Sequence, residues 1–297
     1  MKKYILLFLI LIISISLTTC TKNDNPNEPE VTDEDAIRNL IGSEYMNLLG
    51  NTTHYGIEDT LHHKGGKPFS PILTYFWYRW PTGAFTKDFQ IDIDNDTAIM
   101  VLTFTGVGDL HLFYLDDSFH FQDTTKPFTD DFTRRALFVR EDEVTSLFRG
   151  WKLKALEPAY IYTPGGNLHI DSAVVTSSDS SYHFSYAMLN GFIYVQGDSL
   201  NGLMTLKPHD TLAVTMYTHG DSADAYVHIS WEDHHRRARL LPDTLNPGVF
   251  TNPAIPLLDT MPEYVNLCFD IIEYSTIYTT EEPYYSQAYI LPFRIDH

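Results

Sequence analysis

The chain has 297 residues, with 20 Lys and Arg against 39 Asp and Glu, which gives a formal net charge of −19. This acidity argues against a nucleic-acid-binding protein, because phosphate backbones are bound through basic patches. Two cysteines in a chain of this length exclude a disulfide-based scaffold. Aromatic residues make up 14% of the chain, and the apolar runs are short, a composition that favours β-strands over helical bundles.

The first twenty residues have the pattern of an export signal. Two lysines precede an apolar run over residues 4–13, and small polar residues then lead to Cys20. The run Leu17-Thr18-Thr19-Cys20 resembles the lipobox of bacterial lipoproteins. The resemblance implies a signal peptide over residues 1–19, cleavage before Cys20 and lipidation of that cysteine. Ordinary secretion and an uncleaved membrane anchor are the alternatives.

Residues 20–32 form a polar stretch with two prolines and no apolar periodicity, which predicts a flexible tether. Removal of the signal peptide would take away Lys2 and Lys3 and change the net charge from −19 to −21. Lipid chains on Cys20 would hold the body at a membrane. We therefore expect a lipid-anchored protein of the bacterial cell envelope, at the outer membrane, with its periplasmic or surface face left open.

After the tether, the sequence predicts one helix and then antiparallel strands. Thr32 and the acidic residues behind it are a favourable helix start, apolar residues recur at helical spacing as far as Leu48, and Gly50 supplies a stop. Alternating apolar residues on both sides of Asp94-Asn95-Asp96 predict a hairpin. Other strands are expected over residues 72–80, 110–115, 134–139 and 148–156.

This order of one helix and long hairpins, carried by residues 91–98, 136–139 and 150–153, resembles the nuclear transport factor two-like (ketosteroid-isomerase-like) fold. The resemblance implies an α+β domain over residues 33–162, in which a cone-like curved antiparallel sheet follows an N-terminal helix. No catalytic residue of that fold has a matching motif in this chain.

The turn-rich run Tyr162-Thr163-Pro164-Gly165-Gly166-Asn167 predicts a domain boundary. Short strands separated by turns then predict an all-β domain over residues 163–297, with the pattern of an immunoglobulin-like β-sandwich. Residues 211–217 are expected to pair with 225–231 across the turn at Gly220. Five prolines between residues 242 and 262 predict an irregular crossing.

An aromatic run supplies the candidate ligand-binding residues Tyr75, Trp77, Arg79 and Trp80. In a strand, Tyr75, Trp77 and Arg79 share one face, and Trp80 lies on the other. Such a face can line a pocket that has an aromatic floor and a guanidinium for an anionic or polar ligand. The alternative is that the rings belong to the core and that Arg79 stacks on them at its rim.

No motif defines a catalytic residue, a cofactor site or a metal site. Asp92, Asp94 and Asp96 match the first ligand positions of a calcium-binding loop, but the glycine that such a loop needs next is missing. A hairpin turn is therefore expected. The adjacent pairs His62-His63 and His234-His235 have poor ligand geometry and are expected at the surface.

Three further features fit structural roles. Arg236-Arg237-Ala238-Arg239 is expected to be a salt-bridged loop, and Cys268 a small buried residue on a strand. The C-terminal tyrosines suit strand positions, although exposed rings would also suit a sugar or a protein partner. These tyrosines are Tyr274, Tyr278, Tyr284, Tyr285 and Tyr289.

Together the patterns predict a membrane-anchored lipoprotein that serves binding or assembly, attached to the membrane through its N-terminal lipid. A protein or a glycan is the expected partner, and neither nucleic acid nor a cofactor is expected. One alternative is an enzyme with an acid–base site in the cone, for which His111 and His120 lie near several acidic residues. The other is a carbohydrate-binding lipoprotein that uses aromatic platforms.

Overall fold

The computed structural model describes residues 31–49, 73–83, 86–115, 120–195, 203–219, 222–231, 234–258 and 260–297. The predicted signal peptide, Cys20 and the tether as far as residue 30 lie outside these described residues, as do His62 and His63. No helix within the described ranges is long and apolar enough to cross a membrane. Asp33–His297 forms one compact unit.

A helix opens this unit, as its acidic start and apolar spacing predict. Helix α1 (Asp33–Leu40) continues through a π-helical turn (Ile41–Tyr45) into α2 (Met46–Leu49). One stripe of the helix faces the core, because its apolar residues recur three or four positions apart. The buried residues of α1 and the turn are Ala36, Ile37, Leu40 and Ile41.

Sixteen strands make up most of the described fold. The first eight are β1 (Leu73–Pro81), β2 (Thr86–Asp94), β3 (Thr97–Leu115), β4 (Phe121–Arg140), β5 (Trp151–Leu156), β6 (Ala159–Tyr162), β7 (Ile170–Thr176) and β8 (Ser181–Ser185). The other eight are β9 (Ile193–Tyr194), β10 (Thr205–Leu206), β11 (Thr211–Thr218), β12 (Ala223–Trp231), β13 (His234–Pro242), β14 (Val249–Pro256), β15 (Tyr264–Glu273) and β16 (Ser286–Ile295). A 3-10 turn (Leu147–Gly150) and the short helices α3 (Tyr186–Leu189) and α4 (Tyr274–Tyr278) complete the set.

The strands join edge to edge in the order β1-β3-β4-β6-β16-β15-β12-β13-β14-β11-β7-β8. Outside this order, β2 pairs with β3, β5 pairs with β4 and β9, and β10 pairs with β16. Of the described pairs, β10 with β16 is parallel and the others are antiparallel. The protein is therefore largely an antiparallel β fold with an N-terminal helix.

Strands β12, β15 and β16 lie at the centre and are buried on both faces. One face packs in the same cluster as α1 and the inner side of β3 and β4, through Cys268, Ala288 and Ile290. The opposite face packs against β7, β11 and β14, and its residues include Val227, Phe269 and Leu291. These strands therefore read as nearly continuous apolar runs rather than as alternating ones.

Several predicted elements are confirmed. Strands β2 and β3 form a hairpin that turns at Asn95 and Asp96, and Asn95 takes the left-handed φ of 54° that such a tight turn needs. Strands β4 and β5 cover most of the expected strands at 134–139 and 148–156, and the two strands pair with each other. Strand β1 covers the predicted aromatic run and pairs with β3.

Other expectations are wrong. Strand β11 pairs with β7 and β14 rather than with β12, because β12 lies between β13 and β15. The residues Arg236 to Arg239 lie within β13 instead of a loop. The proline-rich crossing contains β14, and residues 148–150 form the 3-10 turn rather than the start of β5.

The predicted boundary between residues 162 and 163 falls beside a strand ladder. Strand β6 ends at Tyr162 and pairs with β4 on one side and with the C-terminal strand β16 on the other. Hydrogen bonds between strands therefore link the segments before and after this boundary. The division into domains at 33–162 and 163–297 stays a prediction.

Candidate functional site

Strand β1 places two of the predicted ligand-binding residues in the interior. A bulge lies between Thr74 and Phe76, after which Trp77 and Arg79 point inward and are each 1% exposed. Trp80 is on the outer side and is 48% exposed. The structure therefore brings Trp77 and Arg79 together and separates them from Trp80. Tyr75 lies on β1, and its side chain is outside the described set.

The Arg79 guanidinium is held by two partners from the far end of the chain. Its Nη1 and Nη2 donate to the two carboxylate oxygens of Asp270 at 2.6 and 3.1 Å, and its Nε donates to the Tyr284 hydroxyl at 2.7 Å. Asp270 is completely buried, so this two-point ion pair lies in a region of low dielectric constant.

A hydrogen-bonded chain of two imidazoles ends on the same carboxylate. His228 Nε2 lies 2.9 Å from Asp270 Oδ2, and His228 Nδ1 lies 3.1 Å from His235 Nε2. Burial alone raises the pKa of Asp270, but Arg79 and His228 outweigh burial and hold that pKa well below its ordinary value. Asp270 is therefore a carboxylate, and His228 Nε2 carries the proton that it accepts. His228 is fully buried, whereas His235 is half-buried and stacks on it.

A second buried carboxylate continues the network. Tyr284 donates to Asp130 Oδ2 at 3.1 Å and lies 2.6 Å from Ser286 Oγ, and Thr163 donates to Asp130 Oδ1 at 2.7 Å. Because burial keeps the pKa of Tyr284 well above its usual value, the phenol retains the proton that Asp130 accepts. The phenol oxygen then accepts from Arg79 and from Ser286.

Arg237, on β13, packs against Trp77. Its guanidinium carbon lies 3.9 Å from the centre of the Trp77 ring, and its Nη2 donates to the Trp77 carbonyl at 2.9 Å. The Trp77 ring in turn meets Tyr226 edge-on at 5.1 Å. The space behind Trp77 is thus filled by aromatic and guanidinium groups. This interior network can hold β1 against β12, β13 and β15, and its outermost titratable group is His235.

A pocket of about 350 Å³ opens on the outer face of β2, β3, β4 and β6. Its lining residues are Asp88, Thr103, Phe104, Thr105, Asp131, Phe132, Thr133 and Tyr162. The polar ones come from two adjacent rows across paired strands. One row aligns Asp88, Thr103 and Thr133, and the other aligns Thr105, Asp131 and Tyr162.

This polar pocket is held in fixed geometry by the sheet below it. Residues opposite one another on paired strands have Cβ atoms about 4.5–5.5 Å apart, so the rows place carboxylates and hydroxyls side by side. Thr105 Oγ1 donates to Asp131 Oδ1 at 2.8 Å. Beneath the pocket, Phe104 and Phe132 stack at 4.1 Å, which fixes the strands from the core side.

An aromatic ladder borders this pocket on β6. The rings of Tyr160 and Tyr162 stack with their centres 5.1 Å apart, and Tyr289 lies 5.1 Å beyond Tyr160. Gln287 Nε2 donates to the Tyr160 hydroxyl at 3.0 Å, which orients that ring. Tyr162 is 36% exposed and faces the pocket, whereas Tyr289 is buried.

A second open pocket of about 350 Å³ lies where the β6–β7 connection meets the ends of β11 and β15 and the starts of β12 and β16. Its polar lining includes Asn167, His219 and Glu273. Gly166 lies against Tyr285, since a Cβ there would come within 3.2 Å of the ring. These groups come from connections and strand ends rather than from paired rows, so their positions are less fixed than those of the first pocket.

The remaining predicted candidates are dispersed. His111 stacks on Tyr78 at 4.6 Å, and His120 is exposed at the start of β4. Tyr278, Tyr284 and Tyr289 are buried, as the strand-and-core interpretation expects. Cys268 is buried on β15, as the strand-and-core interpretation expects. Within the described ranges, no three His, Cys, Asp or Glu side chains are grouped so that they could hold a metal ion.

No prediction from sequence identified the set of residues that gathers in the outer-face pocket or in the interior network around Asp270. Asp131 and Tyr162 lie on different strands, and only the pairing of β4 with β6 brings them together. The alternation along β2 and β3 did carry a local signal, because it assigns Asp88, Thr103 and Thr105 to the outer face. His228 and Asp270 lie on apolar strands and carry no sequence pattern that marks them.

Comparison of the chain with protein-family models, with curated proteins and with solved structures gives no significant match.

Proposed function

We propose that this protein is a lipid-anchored lipoprotein of the bacterial cell envelope, at the outer membrane, whose folded body is a binding module. The observation that carries the binding role is the open pocket on the outer face of β2, β3, β4 and β6. Its polar groups are held by a paired sheet, and a pre-organised site loses little entropy when a ligand binds. The sequence pattern that ends at Cys20 supports the anchor.

Available hydrogen-bonding capacity supports ligand binding at this pocket. Among the described residues, Asp131 Oδ1 accepts from Thr105 and Asp88 Oδ2 accepts from Gln90, while the other oxygen of each carboxylate accepts from no protein group. The hydroxyl groups of Thr103 and Thr133 add donors and acceptors at the same rows. A concave site with a few convergent polar groups is typical of small-ligand recognition.

The finer fold assignment is part of this proposal. A nuclear transport factor two-like cone is supported by the long hairpin β3–β4, whose inner side packs in the same cluster as α1. An immunoglobulin-like sandwich is supported by the apolar layer between β12, β15 and β16 on one side and β7, β11 and β14 on the other. In this arrangement the body binds its ligand on the outside of the cone.

The anchor is tested by fractionating cells that express the full chain. We expect the wild-type protein in the membrane fraction and the Cys20→Ser variant in the soluble fraction. The matched control is Cys268→Ser, which replaces the other cysteine and should leave the protein membrane-bound. Retention of Cys20→Ser in the membrane would contradict lipid anchoring.

The binding role is tested on the full chain in detergent micelles with a ligand panel of neutral oligosaccharides, acidic oligosaccharides, amines and short peptides. We expect at least one class to bind and to lose affinity in Asp131→Ala. Glu263→Ala removes a carboxylate outside this pocket and should leave binding unchanged. Absence of binding across the whole panel would overturn the binding role.

An acid–base enzyme is the second candidate, and the chain from His235 through His228 to Asp270 favours it. A catalytic base must be reachable, so His235 should react readily with diethylpyrocarbonate in the native protein. The exposed His219 provides the reference rate. Protection of His235 while His219 reacts would remove the enzyme candidate.

A further inference from the structure

We infer that the outer-face pocket binds a neutral saccharide, with one sugar ring stacked on Tyr162 and its hydroxyl groups bonded to Asp131 and Asp88. This inference rests on the proposed binding role and names the ligand class. It depends on three properties of the site, namely a fixed aromatic face, a row of hydrogen-bonding groups and the sign of the local charge.

The aromatic face is supplied by Tyr162. One side of its ring stacks on Tyr160 at an angle of 18°, and the ring borders the pocket with 36% of the residue exposed. Tyr160 is itself fixed by Gln287 and Tyr289. The apolar C–H face of a pyranose fits such a flat ring, and a ring that is already held in place loses little conformational freedom on binding.

The polar groups suit the hydroxyl-rich edge of a sugar. Sugar hydroxyls donate hydrogen bonds, and carboxylate oxygens are strong acceptors, so Asp131 and Asp88 can each hold a hydroxyl. Thr103, Thr105 and Thr133 can accept or donate as the ligand requires. The volume of about 350 Å³ lies at the low end of small-molecule pockets, which leaves room for one or two sugar rings.

The local charge excludes acidic ligands. Among the described residues that line it, the pocket has two carboxylates and no Lys or Arg. The next outward-facing row contains Arg135, whose guanidinium is engaged by the Glu157 carboxylate. Uronic acids, phosphates and sulfates would therefore meet uncompensated negative charge, whereas a neutral ring would not. An amine would suit the carboxylates but would not need Tyr162.

The inference is tested by titrating the full chain in detergent micelles with maltotriose, cellotriose, mannotriose and N-acetylchitotriose, followed by calorimetry. We expect at least one trisaccharide to bind and its affinity to fall at least tenfold in Tyr162→Ala and in Asp131→Ala. Tyr162→Phe keeps the stacking ring and should stay within threefold of wild type. Tyr217→Ala removes an exposed tyrosine on β11 and should stay within twofold.

Different experimental outcomes would overturn the ligand class and the binding role. If no trisaccharide binds but an amine or a peptide binds in an Asp131-dependent manner, the saccharide inference is overturned and the binding role stands. If a trisaccharide binds equally well to wild type and to Tyr162→Ala, the site assignment is overturned. Trigalacturonic acid should not bind, and unchanged thermal unfolding of Tyr162→Ala shows that any loss of affinity is local.

Discussion

Arg79 and Asp270 are separated by 191 positions in sequence and form a two-point ion pair from which solvent is fully excluded. Removing one partner of a buried pair leaves the other charge uncompensated, which typically costs about 3–5 kcal/mol. We therefore expect Arg79→Met to lower the free energy of unfolding by about that amount, measured by urea denaturation.

A surface ion pair of the same type is the control for this prediction. Arg135 and Glu157 pair at the protein surface, where the Arg135 side chain is 47% exposed. Exposed pairs contribute about 0–1 kcal/mol, so Arg135→Met should have a small effect. Equal losses in the two variants would show that Arg79 contributes no more than a surface charge.

Acid should unfold the protein partly through Asp270. Arg79 and His228 outweigh burial and lower the pKa of Asp270. At pH values just below about 4, this aspartate therefore binds a proton in the unfolded chain but not in the folded protein. The stability that Asp270 contributes is complete above that pH and is lost as the pH falls further. We expect Asp270→Asn to be less stable at pH 7 and to show a shallower decline below pH 4.

The control for the acid prediction is Asp94→Asn on the exposed β2–β3 turn. Its free energy of unfolding, measured from pH 7 to pH 3, should follow the wild-type curve. A steep acid decline that survives in Asp270→Asn would assign that decline to other carboxylates.

Local sequence patterns predict the helix and the hairpins but do not predict the interior network around Arg79 and Asp270. The acidic start at Asp33 and the left-handed turn at Asn95 act within a few residues, so both are readable from sequence. Arg79 meets Asp270 only because β1 and β15 fold together over a long sequence separation. The alternating face of β1 correctly grouped Trp77 with Arg79, yet nothing nearby indicated which charge would neutralise the guanidinium.

Strand neighbours were harder to predict than strands. Strands β11 and β12 are adjacent in sequence, and the Gly-Asp pair between them is the usual sequence pattern of a hairpin. Strand β12 is buried on both faces, however, and it pairs with β13 and β15 in the central layer. The outer-face pocket was hard to predict for the same reason. Asp88 and Thr103 belong to one hairpin, but Asp131 and Tyr162 join them only through strand pairing over a longer sequence separation.

Lys126 should make the protein more stable in mild alkali. Burial lowers the pKa of Lys126 to about 8, and its ammonium donates to the Thr276 carbonyl at 2.8 Å. Between about pH 8 and the unfolded value near 10.4, the unfolded chain binds the proton more strongly, so stability rises with pH. We expect wild type to gain about 1–2 kcal/mol relative to Lys126→Met between pH 7.5 and 10.

The matched control for Lys126 is Lys207, which is exposed and pairs with Asp179. The hydrogen bond that Lys207 donates to Asp179 raises the pKa of Lys207, so the contribution of this pair to stability is present below the unfolded value and is lost at higher pH. Wild type should therefore not gain relative to Lys207→Met over the same range. A gain of equal size in both comparisons would contradict the assignment to burial of Lys126.

Gly108 permits β1 to lie close against β3. A Cβ at this position would come within 2.4 Å of the Trp80 carbonyl oxygen and 2.6 Å of the Phe128 ring, and the first of these is backbone that cannot rotate away. We expect Gly108→Ala to lower the free energy of unfolding by about 1–3 kcal/mol, measured by urea denaturation, because overpacking displaces β1 and strains the Arg79 ion pair. Gly42 is the control, since nothing lies within 4 Å of a Cβ there, and Gly42→Ala in the helical segment should be neutral or stabilising. If Gly108→Ala were as harmless as Gly42→Ala, β1 would have enough freedom to shift without disturbing the interior network.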